Sequence, residues 1–143
     1  FPYRREHAQH VAAALAAALR PALPKKGLII DLDDTLWRGI LGEVGVGGVC
    51  WGLEHGAHVH SLFQQCLTTL LDAGVLVAVA SKNEPGLVAE ALRRDDLVVS
   101  AARLFPIHAS WGPKSAAVRA IIETWNVGPE SVMFVDDSPL ELA

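Results

Sequence analysis

Gly27-Leu28-Ile29-Ile30-Asp31-Leu32-Asp33-Asp34-Thr35 is the stretch on which the fold turns. Its first four residues form a short apolar run, too brief for a helix and of the kind buried on both faces of a parallel sheet. The run ends abruptly in carboxylates. Working outward, the same grammar recurs. Val75 to Ala80 is a second all-apolar, valine-rich run and reads as a strand. Leu104 to Ile107 is a weaker candidate, and Val132 to Val135 is the last. Helical patterns lie between them. From His58 to Ala73, Leu62, Phe63, Cys66, Leu67, Leu70 and Leu71 recur at three- and four-residue spacing and predict one buried face, closed by Gly74. Pro85 suits the first position of a helix reaching about Arg94. Pro113 opens another, with Val118, Ile121, Ile122 and Trp125 as its buried face. The glycine-rich segment from Trp37 to Gly56 reads as a loop or small hairpin. Strands alternating with helices predict an α/β domain: a parallel central sheet with helices on both faces, three layers in all.

Polar residues cluster at one structural address. Asp31 to Thr35 follow the first strand, Ser81-Lys82-Asn83 the second, and Asp136-Asp137 the last; Lys114 begins the helix after the weak third strand. In open parallel sheets, ligands bind beyond the carboxyl ends of the strands. Residues distant in sequence are therefore expected in one crevice. Asp31, Asp33 and Asp136 would repel one another unless a cation neutralised them. Hard oxygen ligands of this type suit Mg2+, which takes one or two carboxylates plus substrate phosphate. Ser81 offers a hydroxyl and Lys114 a fixed positive charge, both fitted to phosphoryl oxygens. A cation in the first turn of a helix also opposes the helix dipole, a local misfit of the kind expected at functional sites.

Composition excludes several classes. The chain has 143 residues, 51% hydrophobic and 20% charged, with a net charge of -4, which fits one ordinary globular domain and not a disordered segment. No basic run suggests nucleic acid. Arg4 and Arg5 precede an alanine-leucine run from Val11 to Leu19 that superficially resembles a leader. It lacks strong hydrophobes and is short of the roughly 20 residues a membrane span needs, so a helix from about Arg4 to Arg20 is expected instead. No membrane partner is expected. Cys50 and Cys66 have no metal or redox spacing and predict free thiols in a cytoplasmic protein.

Taken together, Asp31-Leu32-Asp33-Asp34-Thr35, Ser81, Lys114 and Asp136-Asp137 resemble the four motifs of the haloacid dehalogenase superfamily. The resemblance spans about residues 27–141. The fuller strings, Asp31 through Glu43, Ser81-Lys82-Asn83-Glu84, Trp111-Gly112-Pro113-Lys114 and Phe134 through Glu141, are closer still to its FkbH-like branch. The resemblance implies a Rossmann-like catalytic domain over residues 27–143, truncated at its C-terminus, with a minimal cap formed by the glycine-rich segment. Residues 1–26 would be an N-terminal helix or a linker from an upstream region. It implies Asp31 as a nucleophile forming an aspartyl-phosphate, and Asp33 as acid and base. It further implies Mg2+ held by Asp31, Asp136 and the Asp33 backbone carbonyl, with Asp137 behind it. Thr35, Ser81, Lys82, Asn83 and Lys114 would hold the phosphoryl group. FkbH-like proteins dephosphorylate 1,3-bisphosphoglycerate and load a glyceryl unit onto an acyl carrier protein in polyketide and related pathways. Those are the implied substrate and partner.

The chain departs from the branch at two places. Many members carry a cysteine just before the motif-two serine, where this chain has Ala80, and the segment Val44 to Gly52 is unusual and contains Cys50. Cys50 is therefore a candidate catalytic thiol. A plain phosphatase, similar to the magnesium-dependent acid phosphatase branch, is the competing enzymatic reading. A signalling receiver also combines aspartates, Mg2+, a hydroxyl and a lysine, but its lysine follows the last strand, where this chain has Asp136-Asp137. A noncatalytic docking module would not need the full motif set. His55, His58 and His60 lack a partner cluster for zinc. Gly45 and Gly47 do not follow a strand, as a dinucleotide-binding turn would require. The four tryptophans read as core or loop anchors.

Overall fold

The computed structural model describes residues 24–53 and 56–141, together with Gln9 and Val11. The expected helix from Arg4 to Arg20, most of the 1–26 segment and His55 lie outside the described residues. Four strands form one all-parallel sheet: β1 (Gly27–Ile30), β2 (Leu76–Ser81), β3 (Ile107–Ala109) and β4 (Val132–Val135), in the order β3-β2-β1-β4. A single turn, α1 (Leu41–Val44), lies in the glycine-rich segment. Then come α2 (His58–Asp72), α3 (Pro85–Ala91) and α4 (Lys114–Trp125).

The alternation of strand side chains divides the core in two. Leu28, Ile30, Val77 and Val79 face one way and pack with Leu67 of α2 and Val88 of α3. Ile29, Ala78 and Ala80 face the other and pack with Ile121 of α4. The sheet is thus the middle of three layers, as the continuous apolar strands required. Small alanines on the second face let α4 approach closely. Gly27 permits the same approach at the strand's start, since a Cβ there would lie 2.4 Å from the Trp125 ring.

The glycine-rich segment is a small pinned flap. Arg38 N–H donates to Cys50 O at 2.8 Å and Cys50 N–H returns to Arg38 O at 3.2 Å, closing it as an antiparallel bridge around α1. Its far end is tied down by Arg94. That guanidinium donates to Val46 O and Val49 O, pairs with Asp96, and stacks 4.2 Å from the Trp51 ring centroid. Trp37 and Trp51 are buried anchors.

Three expectations need correction. The buried face of α2 is rotated: Gln64 and Leu67 are buried, while Leu62 and Cys66 are exposed. Apolar periodicity misses this because Gln64 is a polar residue that the core satisfies. It donates to Leu36 O at 3.0 Å and accepts from Val98 N–H at 2.9 Å. The third strand begins at Ile107 and not at Leu104. Trp111 is 72% exposed and anchors no core. Among the described residues, no helix is long and apolar enough to cross a membrane.

Candidate active site

Register builds the site. Ile30 pairs with Val79 on one side and with Val135 on the other, so the residues that follow these strands emerge side by side. Asp31 N–H donates to Val135 O at 3.0 Å, which fixes Asp31 beside the end of β4. Asp31, Ser81 and Asp136 all sit at the carboxyl edge, and all three are buried. Lys114, the first residue of α4, is buried with them.

The lysine's position at a helix start has a local cause. Its Nζ lies 2.9 Å from Asp31 Oδ2 and 2.6 Å from Asp136 Oδ2. Burial weakens the hold on its proton, but the bonds to Asp136 and Asp31 outweigh that and raise its pKa. Asp31 is also raised. There burial dominates, opposed chiefly by the bond from Lys114 and then by the Leu32 backbone, with Ser81 a smaller contributor.

One ammonium does not balance the carboxylates here. Oxygens of Asp31, Asp136 and Asp137 lie within 4.8 Å of one another. Among the described residues, Asp31 Oδ1 is buried and finds no hydrogen-bond partner. A buried anionic oxygen without a partner calls for an explanation, and an electrophile is the simplest. The donor set, all carboxylate oxygen, fits a hard divalent cation. Thr35 Oγ1, four residues along the same loop, is a second buried atom without a partner among the described residues. A cleft of about 270 Å³ opens beside the acids, with Asp34, Thr35, His60, Phe63, Asp136 and Asp137 among its walls.

The other expected residues are placed as follows. The cluster of acids among the described residues does not include Asp33. Asp33 Oδ1 accepts from Trp37 Nε1 and Leu41 N–H, each at 3.1 Å, and its Oδ2 accepts from Asn83 Nδ2 at 2.9 Å. Asp137 joins the acidic cluster directly and is exposed. Lys82 pairs with Glu141 near the end of the described chain. Asn83 is buried against Asp33 and Ser81. Cys50 is half-buried and lines a separate hollow with Arg38, Gly39, Val44, Gly47 and Gly48.

His60 was legible only as a discarded zinc lure. Its Nδ1 lies 3.0 Å from Thr35 O. A carbonyl only accepts, so Nδ1 carries the hydrogen, and the ring braces the loop that bears Thr35. Nothing in the sequence pattern marks that contact, which joins positions 25 residues apart.

No protein-family model matches the chain, and no curated protein matches it. Among solved structures it is similar to the N-terminal part of the protein BF1531 from Bacteroides fragilis, containing a phosphatase domain complexed with Mg. The TM-score is 0.77 at 31% sequence identity, over 91% of this chain. The match covers 35% of that structure, so the chain spans about a third of its length. The fold is thus α/β and Rossmann-like, matching that of the phosphatase domain in that structure.

Proposed function

We propose that this chain is a magnesium-dependent phosphoryl-handling enzyme whose nucleophile is Asp31. One observation carries the reading: Asp31 is a buried carboxylate with Oδ2 held by Lys114 and Oδ1 without a partner among the described residues. An anionic oxygen kept dry and uncommitted is suited to an electrophile, and the neighbouring carboxylates make phosphorus with a bridging cation the best match. Asp31, Asp136 and the Asp33 carbonyl would hold Mg2+, with Asp137 beside them. When bound, Mg2+ would offset the charge of the acids and of the phosphoryl oxygens.

The rest follows from the chain's own groups. Asp31 attacks phosphorus and forms an aspartyl-phosphate as the leaving group departs. Lys114, Ser81 and Thr35 hold the phosphoryl oxygens, and the otherwise idle Thr35 hydroxyl has a use there. Asp33, steadied by three N–H donors, is the acid and base. Capture of a C1 acyl phosphate by Asp31 would release a free acid, which is the hydrolytic outcome. For glyceryl transfer Asp31 takes the C3 phosphate, Asp33 protonates the departing alkoxide and then activates water, and a thiol displaces the C1 phosphate at the acyl carbon.

At the finer level, the FkbH-like strings favour 1,3-bisphosphoglycerate as substrate and an acyl carrier protein as acceptor of the glyceryl unit. Cys50 lines a hollow apart from the cleft, which favours direct attack by the carrier's thiol over a relay through Cys50. Simple hydrolysis is the second reading, favoured by the phosphatase domain of the similar Bacteroides structure. One experiment separates them. The protein is incubated with 1,3-bisphosphoglycerate, Mg2+ and candidate carrier proteins, and phosphate release and intact carrier mass are both followed. Glyceryl transfer predicts a carrier mass gain. Phosphate release with an unchanged carrier leaves hydrolysis, and no release with any phosphorylated substrate refutes both.

A further inference from the structure

Asn83 is 2% exposed, and its side-chain nitrogen serves two partners at once. Nδ2 lies 2.9 Å from Asp33 Oδ2 and 3.1 Å from Ser81 Oγ. An amide nitrogen has two hydrogens and accepts nothing. One hydrogen therefore goes to the carboxylate and the other to the hydroxyl. Chemistry fixes the amide's orientation as well, since the reversed amide would set an oxygen against the Asp33 carboxylate.

The direction of the second bond matters. Because Asn83 donates, the Ser81 hydroxyl must accept, and its own hydrogen turns elsewhere. Ser81 is thereby set as a donor toward the crevice, where phosphoryl oxygens would lie. Asp33 is held from both sides, by Trp37 and Leu41 on Oδ1 and by Asn83 on Oδ2.

We infer that Asn83 is a positioning residue: without touching the phosphoryl group, its one nitrogen aims the Ser81 hydroxyl and fixes the Asp33 carboxylate. This rests on the phosphoryl-site reading above. It gives Asn83 a role different from the phosphate contact that the sequence suggested.

The test compares wild type, Asn83→Leu, Asn83→Asp, Ser81→Ala and the double variant Asn83→Leu/Ser81→Ala. Mg2+ binding is measured by calorimetry, vanadate binding in Mg2+ by competition, and turnover with p-nitrophenyl phosphate. Asn83→Leu should bind Mg2+ as wild type does. Its vanadate affinity and kcat should fall about 10- to 100-fold, the loss expected for hydrogen bonds to charged or reacting groups, with KM little changed. In the Ser81→Ala background the same substitution should cost distinctly less, because its target is already gone. Asn83→Asp has the native size but reverses one bond and repels Asp33, so it should do no better than Asn83→Leu. If Asn83→Leu does not melt cooperatively, Asn83→Ser, which keeps one donor, takes its place with a smaller loss. Fully additive losses, or near-wild-type vanadate binding by Asn83→Asp, would overturn the inference. Wild type that binds no vanadate in Mg2+ would overturn the phosphoryl reading and this inference with it.

Discussion

Replacing Lys114 by methionine isolates the electrostatics of the crevice. Methionine keeps much of the apolar stem and removes only the charge. In the native protein that ammonium sits 2.9 Å from Asp31 Oδ2 and 2.6 Å from Asp136 Oδ2, and the two acids are 5% and 8% exposed. Removing one partner of a buried ion pair typically costs about 3–5 kcal/mol, because the remaining charge is left uncompensated. For a domain of this size that corresponds to a melting point lower by roughly 10–15 °C in chelator. The loss should depend on pH with a definite sign. Asp31 already has a raised pKa, with burial the largest cause and the bond from Lys114 the largest opposition. Without that bond the carboxyl is raised further, so the folded state holds a proton that the unfolded state releases. Stability then falls as pH climbs above the ordinary aspartate value of 3.8 and through the raised folded value. The deficit should therefore be smaller at pH 5 than at pH 7.5. Saturating Mg2+ should recover part of it, because a cation replaces the missing ammonium. The stabilisation by Mg2+ should be larger in the variant than in wild type, yet turnover should be lost. Thermal melts at the two pH values, with and without Mg2+, read all of this. If Lys114→Met melts together with wild type in chelator at pH 7.5 and responds equally to Mg2+, the charge balance described for this crevice is wrong.

Four further outcomes are expected. Asp136→Ala should weaken Mg2+ binding at least about tenfold by calorimetry, the scale of losing one good charged contact; unchanged affinity would remove Asp136 from the ligand set. Gln64→Leu should destabilise by about 2–5 kcal/mol in urea melts, since Leu36 O and Val98 N–H each lose a buried partner, and a neutral effect would mean that water reaches them. Gly27→Ala should cost about 1–3 kcal/mol by overpacking against Trp125, with phosphate release little changed once folded; a stabilised variant would contradict the close approach. Cys50→Ala should leave carrier loading intact in the intact-mass assay, and loss of loading with phosphate release spared would restore the thiol relay.

The strands were legible because their runs are almost wholly apolar, and β1 and most of β2 are buried on both faces. Gly27–Ile30, Leu76–Ser81 and Val132–Val135 have no polar side to confuse their reading, and each was placed to within a residue. The catalytic candidates were legible for a related reason. Strand ends are fixed by the strands, so Asp31, Ser81 and Asp136 inherit their address from local pattern alone. Helix faces were less legible. α2 buries Gln64 where periodicity favoured Leu62 and Cys66, because a polar group with long-range partners is as much at home in a core as an apolar one.

The sequence by itself determined the strand–helix alternation, the parallel sheet and the set of acids, hydroxyl and lysine at its carboxyl edge. These follow from local apolar runs, whose reading requires no knowledge of what they touch. Only the tertiary structure decided how the polar atoms divide their bonds: Lys114 between Asp31 and Asp136, Asn83 between Asp33 and Ser81, Lys82 on Glu141. It also decided that the glycine-rich flap is held by Arg94 and leaves Cys50 in a hollow of its own. Hydrogen bonds are directional and short-ranged. Which donor meets which acceptor depends on placement to a fraction of an ångström, and that is set only when elements tens of residues apart have packed.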